Sequence, residues 1–471
     1  MIPFWTHRCA LILLVAGCVA AQAPVPFERG VVIPRVTCAA KPEQSYALYL
    51  PSNYTPERKW PVLFAFDPAA RGRVPVDLLK EAAEKYGYIV AGSNNSRNGP
   101  PRPQAEAADA MMQDVTTRFA VDARRMYTTG FSGGARVAVM VALLCGDCVA
   151  GVFAQGAGFP TSAAPSKDVR FSTFAAVGDL DFNHAEVLDL AEKLESNGTP
   201  VRLRVFSGTH NYAPLEVQME AVEWLELRAM VEGRRAKDHA FLTQQFARAR
   251  ERAEQVEGTG DRYAAWREYT AAARDFADLP AAAPFAAKVA EWKDSAALVE
   301  ARKRTYRDIE RQRALTTPFG TNLEALHRDS SRRADLLPQL YATVNELRRG
   351  SESKNEDQRR VYARARTQVF AHAIETGNSA LHEKEFSFAT VCFELAREIR
   401  PETPGPPFGL ARVHAANGRK KQALDALREA IRKGLRDAEL LRTTPEFARL
   451  QSAPEFQGIV QSLEQASPPR P

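Results

Sequence analysis

From Ser45 to about Met230 the chain alternates short apolar runs with longer amphipathic stretches. The runs Tyr46–Leu50, Val62–Phe66, Tyr88–Ala91, Met126–Thr129, Val149–Ala154, Phe171–Val177 and Val201–Phe206 are mostly continuous in apolar residues. Strands covered on both faces need that composition, whereas a half-exposed strand would alternate. Between them Pro75–Tyr86, Ala105–Phe119, Gly133–Leu144, Ala185–Ser196 and Leu215–Met230 read as helices. This alternation predicts a mostly parallel sheet with helices on both faces, the α/β class.

After Met230 the strand patterns stop. Ala, Arg, Glu and Leu dominate, with turns expected at Gly258-Thr259-Gly260, Pro318-Phe319-Gly320 and Arg349-Gly350-Ser351. Near the end Gly377, Ala389, Phe393 and Ala396 recur thirty-four residues later as Ala411, Ala423, Leu427 and Ala430. That is the period of the tetratricopeptide repeat, in which small residues let paired helices approach. Phe241–Phe276, with Ala253, Ala265, Tyr269 and Ala272, reads as a more degenerate unit. The expected organisation is an α/β domain over 24–230, a helical region over 231–375 and tetratricopeptide-like repeats over 376–465. Such repeats bind partners or extend a domain, so a protein partner is expected for them and no catalysis.

The first residues read as an export signal occupying 1–23. Arg8 supplies the charged start, Ala10–Ala16 the apolar centre and Ala21-Gln22-Ala23 the cleavage site. Val15-Ala16-Gly17-Cys18 also resembles a bacterial lipobox, which would place a lipid anchor on Cys18. Either way the expectation is an exported protein of a bacterial-type cell, in the periplasm, on the outer-membrane surface or secreted. In an oxidising compartment Cys145-Gly146-Asp147-Cys148 reads as a local structural disulfide. It follows a helix, whereas a redox pair sits at a helix N-terminus, and no second pair or nearby His completes a zinc site.

The formal net charge of +6 is uneven: residues 24–230 hold 21 Lys/Arg against 23 Asp/Glu, and the residues after 230 hold 41 against 34. The C-terminal bases, such as Arg332, Arg333, Arg359 and Arg360, interleave with acids at helical spacing. They read as a solvated helical face, so no nucleic-acid partner is expected.

Gly130-Phe131-Ser132-Gly133-Gly134 matches G-x-S-x-G, and its setting gives it weight. A strand over Arg125–Thr129 and a helix over Ala135–Leu144 put Ser132 on a sharp strand-to-helix turn, a nucleophile elbow. A serine hydroxyl needs a base, and the base needs an orienting acid. His184 and His210 are the only histidines of this half; His210 lies just beyond a strand, and His184 reads as a surface residue at a helix start. Asp179 and Asp181, directly after the strand Phe171–Val177, are both candidate acids. The order Ser132, Asp, His210 is that of α/β-hydrolases.

On Gly130–Gly134, Gly178-Asp179-Leu180-Asp181-Phe182-Asn183 and Gly208-Thr209-His210, the stretch Ser45–Met230 resembles α/β-hydrolases of the polyhydroxyalkanoate-depolymerase and feruloyl-esterase-like group. In that group the acid sits in a G-x-x-D element, which implies Asp181. The resemblance further implies a serine hydrolase of carboxylic esters that needs no cofactor or metal, with an ester substrate of small or polymeric kind. One departure stands out. Where the group carries His-Gly after its third strand, this chain has Asp67-Pro68-Ala69-Ala70. Pro68 has no N–H, so Ala69 is the expected second oxyanion donor beside Gly133. Asp67 needs a partner there, Arg71 or Arg73, or else it orders its loop through backbone N–H groups. The altered loop keeps open an alternative, an inactive hydrolase-fold scaffold whose helical repeats bind a partner. Asn94-Asn95-Ser96-Arg97-Asn98-Gly99 reads equally as a lip of the cleft or as plain surface.

Overall fold

The computed structural model describes residues 27–160 and 165–466. The signal segment expected at 1–23, with Cys18, lies outside them. Eight strands form one sheet: β1 (Val32–Thr37), β2 (Ser45–Tyr49), β3 (Trp60–Phe66), β4 (Ile89–Ser93), β5 (Val121–Phe131), β6 (Gly151–Gln155), β7 (Ser172–Gly178) and β8 (Val201–Phe206). Their spatial order is β1-β2-β4-β3-β5-β6-β7-β8. β2 runs antiparallel to β1 and β4, and every later pairing is parallel. β3, β4 and β7 are buried along their whole length, which is why their sequences are continuously apolar.

Helices α1 (Arg73–Tyr86), α2 (Pro101–Arg118), α3 (Gly133–Cys145), α4 (His184–Ser196) and α5 (Leu215–Val231) cover the two faces. Each expected strand and helix of this half falls on an observed one. β1 is the element the pattern did not predict. The register pairs Phe66 with Gly130, Phe131 with Gln155, and Gly178 with Phe206. The carboxyl ends of β3, β5, β6, β7 and β8 are therefore level, and their loops open at one edge, where open α/β sheets bind ligands.

The remainder is helical: α6 (His239–Gly258), α7 (Arg262–Asp275), α8 (Ala283–Trp292), α9 (Ala296–Arg328), α10 (Arg333–Gly350), α11 (Glu356–His382), α12 (Phe386–Ile399), α13 (Gly405–Ala416), α14 (Lys420–Arg432), α15 (Ala438–Thr443) and α16 (Pro454–Ala466). The turn expected at Pro318 is absent. α9 runs through it, because Phe319, Leu323 and Leu326 are buried in one helical stripe that holds the helix together despite the lost N–H.

In α11–α14 the thirty-four-residue pattern marks packing positions. A Cβ on Gly377 would lie 3.1 Å from both Cys392 and Phe393, so only glycine admits that aromatic ring without displacement. Ala389, Ala396, Ala411, Ala423 and Ala430 are fully buried between the helices. Arg412 bonds Asn378 and Glu446, thirty-four residues on either side of it, at 2.7 Å each.

Chain position 230 ends the α/β alternation but not the core. One apolar cluster runs from Leu63, Val90 and Phe174 through Trp224 and Leu227 to Leu242, Tyr269 and Trp292. Buried charge crosses the same line. Glu268 of α7 meets Arg204 of β8 at 2.8 Å, and Asp275 accepts from Trp224 Nε1 at 2.8 Å. Glu223 of α5, nearly fully buried, takes Arg248 of α6 at 2.6 Å.

Candidate active site

Ser132 stands between the last residue of β5 and the first of α3 with φ 53° and ψ −123°. A non-glycine residue in that region costs about 1–3 kcal/mol and persists only where its surroundings hold it. Here the Ser132 N–H donates to Gln155 O at 2.8 Å. The glycines answer crowding. A Cβ on Gly130 would run into the Gly134 carbonyl, and one on Gly134 into the Phe66 carbonyl.

The structure brings Ser132, His210 and Asp181 into one chain of hydrogen bonds. His210 Nε2 lies 2.9 Å from Ser132 Oγ, and Nδ1 lies 2.9 Å from each oxygen of Asp181. The imidazole packs between Phe131 and Phe182, with ring centroids 4.6 and 4.2 Å away. Asp181 is fully buried and also accepts the Asn183 N–H at 2.8 Å. Gly156, at φ +62°, lets this group close up, since a Cβ there would sit 3.1 Å from Asp181 Oδ2. Asp179 does something else: its Oδ1 accepts the Gly208 N–H at 2.9 Å, tying the turn of the acid to the turn of the histidine.

His184 is not the surface residue expected. It is half-buried: its Nδ1–H donates to Gly178 O at 3.1 Å, and it lines a cavity against the helical half. Desolvation, reinforced by the positive charge of Arg364, pushes its pKa down to about 3.

The expected donor Ala69 is a correction. Its N–H donates to Asp67 Oδ1 at 2.8 Å and so does not point at an incoming oxyanion. Asp67 is fully buried and held on every side. Arg71 grips it with Nε at 3.0 Å and Nη2 at 2.9 Å, while Tyr212 O–H donates at 3.0 Å. Burial alone would raise its pKa; the Arg71 fork, the Ala69 N–H and Tyr212 outweigh that and lower it. Arg73 pairs with Asp77 instead. The carboxylate beside the serine is thus neutralised, at the cost of the donor.

Gly133 begins α3, so its N–H has no intrahelical partner and remains directed out of the helix start. The Asn98 side chain presses on the same residue: its carboxamide occupies the position a Gly133 Cβ would take. The Asn98 N–H bonds Pro68 O at 2.8 Å, and Arg97 bridges to Ala69. The polar 94–99 segment is therefore a lip of the cleft.

Sequence reasoning missed Gln155. Its backbone carbonyl holds Ser132, while its buried side chain accepts from Ala213 N at 3.1 Å and Gln218 Nε2 at 2.8 Å. One residue thereby ties the serine turn to the segment after His210. A glutamine closing the apolar run Val152-Phe153-Ala154 was the available signal.

Cys145, the last residue of α3, and Cys148 form a disulfide. Cys38 and Cys392 are buried thiols, and burial pushes them up to about 11 and about 12, which leaves them unreactive. Among the described residues, the grouping of metal-ligand type is His327, Glu383 and Glu385, all exposed and in the helical half.

No family model and no curated protein matches this chain. Solved structures do. An S-formylglutathione hydrolase from Staphylococcus aureus is 16% identical over 39% of this chain and 90% of its own, with a TM-score of 0.33. The esterase LipW from Mycobacterium marinum is 18% identical over 42% and 82%, with a TM-score of 0.34. A ferulic acid esterase is 16% identical over 41% and 96%, with a TM-score of 0.35.

Proposed function

We propose that the chain is a serine hydrolase of carboxylic esters that works through an acyl-enzyme. The observation that carries this reading is the unbroken relay from Ser132 Oγ through both ring nitrogens of His210 to buried Asp181, at 2.9 Å throughout. An inert scaffold would need none of those polar groups, nor the backbone strain at Ser132. In this mechanism His210 Nε2 takes the serine proton as Oγ attacks the ester carbonyl. The same proton then goes to the departing alcohol, and water repeats the sequence on the acyl-enzyme. Asp181 fixes the ring tautomer and stabilises the imidazolium.

The oxyanion is assigned to the Gly133 N–H and, in place of Ala69, to the Nδ2–H of Asn98, whose carboxamide lies against Gly133. The spent Ala69 N–H also favours the second reading, an inactive scaffold. A fluorophosphonate separates the two. Wild-type protein should label at one serine and hydrolyse a short p-nitrophenyl ester. Ser132→Ala should lose the label and turnover together, a fall on the order of 10⁶ where comparable triads are dismantled. A wild type no faster than Ser132→Ala establishes the scaffold.

The Cys145–Cys148 disulfide supports an exported protein, with the signal and the Cys18 anchor retained as part of this proposal. The helix pairs from α11 to α14 are read as tetratricopeptide-like units offering a surface to a protein partner, supported by the Asn378–Arg412–Glu446 ladder.

A further inference from the structure

A second cavity, of about 330 Å³, lies between the sheet and the helical half, and neither Ser132 nor His210 borders it. For two of its arginines burial outweighs the attraction of the neighbouring carboxylates, Asp308 and Asp179 for Arg364 and chiefly Asp261 and Glu268 for Arg267. Arg364 of α11 is only 7% exposed, makes no hydrogen bond or ion pair, and leaves a buried Nε without an acceptor. Arg267 of α7 has buried Nε and Nη1 without acceptors, and its guanidinium merely stacks over Tyr263 at 4.9 Å. A guanidinium offers five donors and cannot shed its charge. A buried, unpaired one is strongly destabilising unless something completes it.

The carboxylates of the cavity do not. Glu268 is taken by Arg204 at 2.8 Å and Arg202 at 3.5 Å. Glu192 is taken by Tyr263, Tyr306 and Arg302. Asp179 holds Gly208, and Asp261 caps α7 through the Ala264 N–H. Glu195 and Asp308 remain without hydrogen bonds. Burial pushes both carboxyls up, against the pull of Arg267 on Glu195 and of Arg364 on Asp308. The donors left over all suit an acceptor with several oxygens.

We propose that this cavity binds a small oxyanion, a phosphate or carboxylate group, between the guanidinium forks of Arg267 and Arg364. The volume admits a ligand of metabolite size rather than a polymer. The site is separate from the serine, so it adds a function to the hydrolase reading and does not depend on it.

The test uses full-length protein and calorimetric titration with inorganic phosphate and, separately, succinate, at matched ionic strength. One of the two should bind with a stoichiometry near one, and Arg364→Gln and Arg267→Gln should each weaken it at least tenfold. Both variants should keep the far-ultraviolet dichroism spectrum and the cooperative unfolding of wild type, which shows that they fold. The arm that binds identifies the phosphate or the carboxylate class. Binding of neither anion, or equal binding by wild type and both variants, overturns the proposal. Arg364→Met guards against a merely structural cation. In anion-free buffer it should melt no lower than wild type, because the burial of this guanidinium outweighs the pull of Asp308 and Asp179 and its Nε has no acceptor; a clear drop would mean that Arg364 is already satisfied, and the site would be refuted.

Discussion

Asp275 tests whether the two halves are one folding unit. It is 1% exposed at the end of α7 and accepts from Trp224 Nε1 of α5 at 2.8 Å. It also faces Arg274 at 3.0 Å, Arg202 of β8 at 3.4 Å and Arg228 of α5 at 3.7 Å. Burial by itself would raise its pKa, but those three arginines and the indole N–H hold it below the usual carboxylate range. Removing one partner of a buried charge network costs about 3–5 kcal/mol. Arg202 keeps Glu268 and Arg228 keeps Glu232, so Asp275→Ala belongs at the lower end, about 3 kcal/mol. Asp275→Asn keeps an acceptor for Trp224 but loses the charge, and should fall between wild type and Ala. Urea unfolding followed by tryptophan fluorescence and far-ultraviolet dichroism measures both, and the two probes should shift together. A loss under about 1 kcal/mol for Asp275→Ala, or a shift confined to one probe, would mean the helices only dock on an independently stable sheet.

A chain ended at Met230 should be insoluble or inert, since it strips the cover from Trp224 and leaves Arg202 and Arg204 buried without Glu268; a soluble fragment that labels with fluorophosphonate would refute the continuous core. Asp181→Asn should lower turnover by roughly 10⁴ with the fold intact, while Asp179→Asn keeps most of its activity because it only ties Gly208; kcat and melting temperature for both decide it. His184 makes stability depend on pH in a stated direction. Its ring stays neutral in the fold down to about 3 but takes a proton from 6.5 downward when unfolded, so its contribution is complete above 6.5 and is lost as pH falls through that window. At 1.36 kcal/mol per pKa unit the loss is about 2 kcal/mol by pH 5, and His184→Gln, compared with wild type across pH by urea unfolding, should remove that part of the slope.

The sheet was legible because buried parallel strands must be apolar throughout, and the elbow because Gly130, Gly133 and Gly134 answer a crowding that few other turns create. β1 escaped for the opposite reason. Its Val32–Thr37 segment carries Pro34, sits on the sheet edge and buries only Val36, so it resembles a loop in composition. The two aspartates could be separated by family spacing but not by their own chemistry, since both follow the same strand and differ only in what folds against them.

The harder failures share one cause, which is a polar group satisfied by a residue far away in the chain. Ala69 has an N–H and stands in the right loop, yet its availability depends on the rotamer of Asp67, which in turn depends on Arg71 and on Tyr212, 145 residues further on. In the sequence, Glu223 and Glu226 of α5 cannot be told from solvated charges. They are buried instead, the first paired with Lys85, Tyr86 and Arg248, the second with Tyr88 and Arg235. Charge that is buried and paired looks the same in a sequence as charge that is solvated, so where the strand patterns stop at Met230 nothing in the sequence marked the continuity of the core. The same reasoning inverts usefully at Arg267 and Arg364, whose buried guanidinium nitrogens lack the acceptors that Arg204 and Arg248 find across the same boundary.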